Sequence, residues 1–198
     1  MSRMLQGALA ALMPSKPEPG LTVLDPVTTR MRVLPQDLDY MMVVNNGTYL
    51  QLMDVAGLRH LGLNGGLRLA SKRSWFGYTV ASTMRYRRSL RLWDRFEDTS
   101  RVIGWDDRVF YIEHVITRGG ELCTRGVVCT RFVHRRDRER IDPRDIVPLL
   151  AEQHGYTHAI PDSPELPADV AAWARSWQNP AATNASRAVA GTGAEGNR

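Results

Sequence analysis

Residues 46 to 61 constrain the fold more than any other stretch. Tyr49, Leu50, Leu52, Met53, Val55, Ala56, Leu58 and Leu61 leave only a narrow polar stripe with Gln51 and Asp54. At 3.6 residues per turn, such a pattern is apolar nearly all round, and a helix of that kind needs cover on more than one side. Asn45-Asn46 opens it, because an Asn side-chain oxygen can accept a bond from the helix's orphan N–H groups. Gly62 reads as its stop and Gly65-Gly66 as a flexible turn. The rest of the chain must supply the enclosure.

Strands supply it. Val27, Thr29, Met31 and Val33 alternate with Thr28, Arg30 and Arg32, so Val27 to Leu34 is a half-buried strand that Pro35 ends. Leu67 to Trp75 is a short helix or loop. Strands follow at 77–90, 95–105, 109–117 and 121–134, joined by tight turns at Trp105-Asp106-Asp107-Arg108 and Gly119-Gly120. Thr79, Ala81, Thr83, Arg85 and Arg87 are expected on one face of the first of these. One strand, a long buried helix and four antiparallel strands make an α+β plan over residues 27–152. Residues 1–26 form a short helix and a Pro/Gly connector. Residues 153–178 form a C-terminal extension, with Leu166, Val170, Trp173 and Trp177 spaced to pack back on the body. Residues 179–198 are small, polar and expected to be disordered.

Charge narrows the partners. The formal net charge is +5, and Lys16 and Lys72 are the only lysines, so the excess is carried by arginine. Arginine suits phosphate, whether of nucleic acid, a membrane surface or a cofactor-like substrate. No recognition helix and no repeated aromatic stacking face accompany the charge, so nucleic acid is not expected. The mixed run Arg135 to Arg140 reads as a solvated loop. Cys123 and Cys129 are too far apart along one strand to pair, and fit free thiols in a reducing compartment. His60, His114, His134, His154 and His158 are scattered without zinc spacing, so no metal is expected. No apolar run is long enough to span a bilayer. Met4 to Met13 is short and apolar, and reads as a helix packing on the body or lying on a membrane surface.

The stretch before the helix is an arrangement that could be reactive. Asp37 and Asp39 lie just upstream of its N-terminus, where N–H donors and a partial positive charge can hold a developing oxyanion. From spacing alone, the two acids are either a solvated turn or an acid–base centre. Tyr40, Met41, Met42, Val43 and Val44 are expected to desolvate the Asp39 carboxylate. Asp54 stands out as an acid on a mostly buried helix, with a structural role and a catalytic role both open.

Asp37-x-Asp39, then Asn45-Asn46-x-x-Tyr49 opening a helix, resembles the hotdog-fold acyl-CoA thioesterases. Arg87-Arg88-Ser89-Leu90-Arg91-Leu92, Gly104-Trp105-Asp106-Asp107-Arg108 with Phe110-Tyr111, and Pro164-Glu165-Leu166-Pro167-Ala168-Asp169 are similar to the branch of thioesterase superfamily member six-like proteins. The resemblance runs from about Thr28 to Trp177. It implies an antiparallel sheet wrapped around the central helix. It also implies hydrolysis of an acyl-CoA thioester, with Asp39 as general base or nucleophile. Asn45, Asn46, Tyr49, Gly77, Arg87 and Arg88 are the implied substrate contacts, with Arg85 and Arg91 as further phosphate candidates. The thioester oxygen would be held by backbone N–H groups at Asn46 to Thr48 or near Phe76-Gly77. No cofactor is implied. The expected assembly is a homodimer or dimer of dimers, and the expected location is cytoplasmic, since this chain lacks the longer N-terminal anchor of member six. One departure matters: many relatives carry Gly-His-Val where this chain has Met42-Val43-Val44. That keeps a second reading open, a hotdog protein that binds acyl groups or acyl-CoA without turnover. A hydratase would need a His a few residues after Asp39, and the next is His60.

Overall fold

The computed structural model describes residues 16–153 and 162–178. In chain order the elements are β1 (Val27–Arg32), a 3-10 turn (Pro35–Asp37), α1 (Asn46–Leu63), α2 (Gly66–Lys72), β2 (Trp75–Tyr86), β3 (Arg95–Trp105), β4 (Phe110–Arg118), β5 (Glu121–His134), β6 (Arg140–Ile141), α3 (Pro143–Gln153) and α4 (Ala168–Gln178). The main sheet has the order β1-β3-β4-β5-β2, with β6 added on β5, and every pairing is antiparallel. This is the α+β hotdog arrangement expected from the sequence. Met4 to Met13 and residues 179–198 lie outside the described residues. Among the described residues no helix is long and apolar enough to cross a membrane.

Helix α1 ends later than expected. Gly62 stays within it and Asn64 is the cap. The break belongs to Gly65, whose φ of 76° suits glycine and few other residues. The Asn64 side chain then accepts a bond from the Gly66 N–H at 3.0 Å, which starts α2. Strand β2 also differs. It begins at Trp75 and ends at Tyr86, because the N–H groups of Arg87 and Arg88 both turn to the Cys123 carbonyl, at 2.8 and 3.1 Å. Its register against β5 slips between Thr79 and Ala81. A bulge of this kind inserts one residue and breaks the period of two, so the expected single face from Thr79 to Arg87 is interrupted.

Two apolar clusters hold the fold. In one, Tyr49, Leu52 and Met53 of α1 pack on Phe96, Ile116, Cys123 and Val128 of the sheet, with Val33, Val44 and Leu90 closing the end. In the other, Leu69 and Ala70 of α2 and Ile146, Val147 and Leu150 of α3 cover Trp75, Val102, Phe110 and Phe132. Each fully buried side chain of this size contributes about 1.5–3 kcal/mol. Beside α1 and these clusters lies a half-open cavity of about 1160 Å³. Val55, Leu58 and Leu61 are only half-buried because they face it.

The described residues 165–178 belong to a second compact unit. They include α4, where the Trp173 and Trp177 rings lie 6.1 Å apart.

Candidate functional site

The structure divides the expected site residues between the two ends of α1 and β2. At the helix N-terminus, Asn45 is the cap. Its Oδ1 accepts from the Gly47 N–H at 2.8 Å and its carbonyl accepts from the Thr48 N–H at 2.9 Å. Two of the N–H groups expected to await an oxyanion are therefore already satisfied. Asn46 is the first helical residue, and its carbonyl accepts from the Tyr86 hydroxyl at 3.1 Å. That bond ties the far end of β2 to the start of the helix, and it brings Arg87 and Arg88 to the same end.

Asp37 is fully buried. Its Oδ2 accepts from the Leu34 N–H at 2.7 Å, and its carbonyl accepts from the Asn45 N–H. It shapes the loop. Asp39 is half-buried, and its Oδ1 accepts from the Met41 N–H at 2.8 Å and the Val43 N–H at 3.5 Å. This self-closed turn corrects the expected apolar wall. Tyr40, Met41 and Met42 are 94%, 65% and 59% exposed, so within one chain they do not desolvate the carboxylate. The physical reason is the turn itself, which uses a left-handed Met42 (φ 61°) and directs these side chains outward.

Tyr49, an expected substrate contact, is in the core. It is 2% exposed, its hydroxyl accepts from the Leu90 N–H at 3.3 Å, and its ring lies 5.4 Å from that of Tyr86. Burial pushes its hydroxyl pKa up. Arg88 is exposed and paired with Glu121. Arg87 borders a small depression with Arg85, Tyr86, Leu122 and Arg125. Arg125 is also bonded to Glu113 at 2.7 Å.

Gly77 is at the other end of β2 and lines the large cavity with Trp75 and Phe76. A Cβ here would lie 3.0 Å from the Phe132 ring and 3.2 Å from a Thr130 methyl. The absent side chain lets the Phe132 ring and the Thr130 methyl approach the β2 backbone closely. Most of the wall is apolar, from Leu58 and Leu61 on α1 to Phe110 and Ile112 on β4, with Arg68, Lys72 and Arg135 among its charged members.

A polar floor in this cavity was not expected. His60 and His114, both buried, line it together with Asp54, which is exposed. The His114 Nδ1 faces both oxygens of Asp98, at 3.1 and 3.2 Å, and both side chains are buried. The Ser100 hydroxyl donates to the Val27 carbonyl at 3.3 Å and lies 3.2 Å from the His60 Nδ1. With its only proton committed, Ser100 accepts from His60. That tautomer leaves the His60 Nε2 without a proton, and it has no partner among the described residues. Burial lowers the His60 pKa to about 4, with the nearby His114 adding to the effect. Asp54 is shifted the other way: desolvation in the concave wall raises it, and His114 partly offsets this. Among the described residues no three such groups converge as metal ligands. The signal for this floor was present in the strands. Asp98, Ser100 and His114 occupy inward positions where apolar residues belong, and Ser100 is directly opposite His114 across β3 and β4.

A family model described as the thioesterase-like superfamily matches residues 33–174. Protein THEM6 of Danio rerio is 31% identical over 172 residues, covering 86% of this chain and 80% of that one. Protein THEM6 of Xenopus laevis is 41% identical over 81 residues, covering 41% of this chain and 39% of the frog protein's own length. A Staphylococcus aureus protein, SAV2348, whose structure was solved in complex with CoA, superposes with a TM-score of 0.56 at 15% identity. The match covers 72% of this chain and 99% of that one. At that identity the likeness speaks for the fold alone. The family match spans more than half of the chain and agrees with the sheet order and the enclosed helix: the protein belongs to the thioesterase-like superfamily of hotdog proteins.

Proposed function

We propose that the protein is an acyl-CoA thioesterase, with Asp39 as general base or nucleophile and a homodimer as the working unit. The observation that carries this reading is the cavity of about 1160 Å³ between α1 and the sheet, apolar on most of its wall, with Gly77 in its lining. Its size and lining suit an acyl group. Asp39 would attack the thioester carbonyl and expel the CoA thiolate, giving a mixed anhydride that water then hydrolyses; or it would take a proton from a water that attacks the carbonyl and displaces the same thiolate. Arg85, Arg87 and Arg88 offer charge for the CoA phosphates. The CoA complex of the Staphylococcus aureus neighbour supports that class of ligand.

The distances support a dimer. Strand β2 has 12 residues and, among the described residues, pairs with β5 alone, leaving a long open edge. At roughly 3.3 Å per residue, its two ends are over 30 Å apart. Within one chain, Gly77 and the Asp39 loop therefore belong to different ends. Antiparallel pairing of β2 with a second copy would place Gly77 of one chain beside the Tyr86 end of the other. The exposed Tyr40, Met41 and Met42 would then find cover, and the Asp39 carboxylate the dry surroundings it lacks in one chain. The alternative, acyl binding without turnover, is favoured by the absence of a His in Met42-Val43-Val44 and by the bonds Asp39 already receives from its own loop.

The test is hydrolysis across a panel of acyl-CoAds of different chain length, run beside light scattering. Turnover by a dimer is the expected result. Binding without hydrolysis on every thioester would select the alternative, and a monodisperse monomer at micromolar concentration would remove the shared site.

A further inference from the structure

The floor of the cavity carries polar groups for which chemistry at Asp39 has no use. Asp54 and Gly57 are one turn apart on α1 and share a face, and both line the cavity with His114. His114 turns its Cε1–Nε2 edge to Gly57: a Cβ added there would lie 3.8 and 3.9 Å from those two atoms. Asp98 holds the opposite side of the ring through Nδ1, at 3.1 and 3.2 Å. The Nε2 of His114 has no hydrogen-bond partner among the described residues. A fixed, buried imidazole and an exposed carboxyl thus both line a chamber whose wall is mostly apolar. A carboxylate behind an imidazole fixes its orientation and tautomer, which is how a ring nitrogen is kept aimed at a ligand.

An all-methylene chain laid over this floor would strip water from both groups and return no hydrogen bond. A hydroxyl donates and accepts at once, so it complements the pair wherever the proton sits. We propose that Asp54 and His114, with Asp98 as the positioning residue, form a subsite for a hydroxyl carried on the acyl group, so that hydroxylated acyl chains are preferred to plain ones. The inference rests on the acyl-CoA reading of the cavity and narrows its substrate class.

The experiment is calorimetric binding of S-alkyl-CoA thioethers to the full chain. These have no thioester to hydrolyse, so binding is read without turnover. The series contains one saturated chain and its isomers with a single hydroxyl moved along it. At least one hydroxylated isomer should bind roughly tenfold more tightly than the plain chain, the discrimination of about one hydrogen bond. Asp54→Leu, at a position open to the cavity, should abolish the preference and tighten the plain chain. Asp98→Asn keeps the imidazole and its neighbours in place; it should weaken the preferred isomer while leaving the plain chain unchanged, which a merely structural role would not do. Equal binding of all isomers by the wild type, or a preference that survives both variants, would overturn this subsite alone. Failure of every thioether to bind would overturn the acyl-CoA reading and this inference with it.

Discussion

The two stretches of α1 treat their polar neighbours in opposite ways. At its N-terminus the cap and the Asp39 carboxylate are answered locally. Asn45 takes up the Gly47 and Thr48 N–H groups, and Asp39 is bonded by Met41 and Val43 of its own loop. One helical stretch further on, the floor groups are answered across the sheet, by Asp98 for His114 and Ser100 for His60. Local answers come from neighbours in sequence and leave Tyr40, Met41 and Met42 exposed. Long-range answers need the fold, and they leave ring nitrogens unspent in a mostly apolar chamber. On the proposed reading, the difference separates the place of reaction, once covered by a second copy, from the place of recognition.

The sharpest way to break this division is Asp39→Asn. The amide keeps the turn's shape and removes the charge. Turnover of the best acyl-CoA should fall by roughly a hundred- to ten-thousandfold, the scale of losing a general base, with little change in binding. A folded Asp39→Asn protein with wild-type turnover would move the chemistry away from the helix N-terminus. Asp37→Asn should act through stability, because Asp37 is buried and bonded to Leu34.

The second effect is on stability and belongs to the floor. His60 is lowered to about 4 in the folded chain, against 6.5 unfolded. As pH falls below 6.5 the unfolded chain takes the proton first. His60 therefore contributes stability that is present above pH 6.5, is lost as pH falls to about 4, and is constant below that. The loss should be about 3 kcal/mol across that window. Urea unfolding of wild type and His60→Gln at both ends of the window measures it, and the variant should lack this part of the pH dependence.

A smaller effect tests the mouth of the cavity. In Gly77→Ala the new methyl meets the Phe132 ring at 3.0 Å, so the ring must shift. A stability loss of roughly 1–3 kcal/mol is expected from such overpacking, with acyl binding weakened alongside. The smallest effect is at Arg88. Its pair with Glu121 is exposed, so Arg88→Ala should change the melting temperature hardly at all, at most about 1 kcal/mol. If Arg88 meets a CoA phosphate, the variant should instead weaken CoA binding, and the salt dependence of binding should flatten.

The sequence by itself determined the framework. The all-round apolar pattern from Tyr49 to Leu61 required an enclosed helix, and period-two alternation with Gly and Asp turns supplied the antiparallel strands. Asn45 as cap was equally legible, because capping is settled within a few residues. Tertiary structure alone decided the rest. Periodicity records that a side chain leaves water, and it cannot tell dense core from the wall of a chamber. Tyr49 and Leu52 went to the core, while Leu58 and Leu61 went to the cavity. The apolar run Tyr40 to Met42 looked like shelter for Asp39, yet one left-handed residue turns it outward. The pairing of His114 with Asp98 spans two strands, and that of His60 with Ser100 joins a helix to a strand. Such contacts depend on register and on how the helix lies across the sheet, and these are set only when the whole chain has closed.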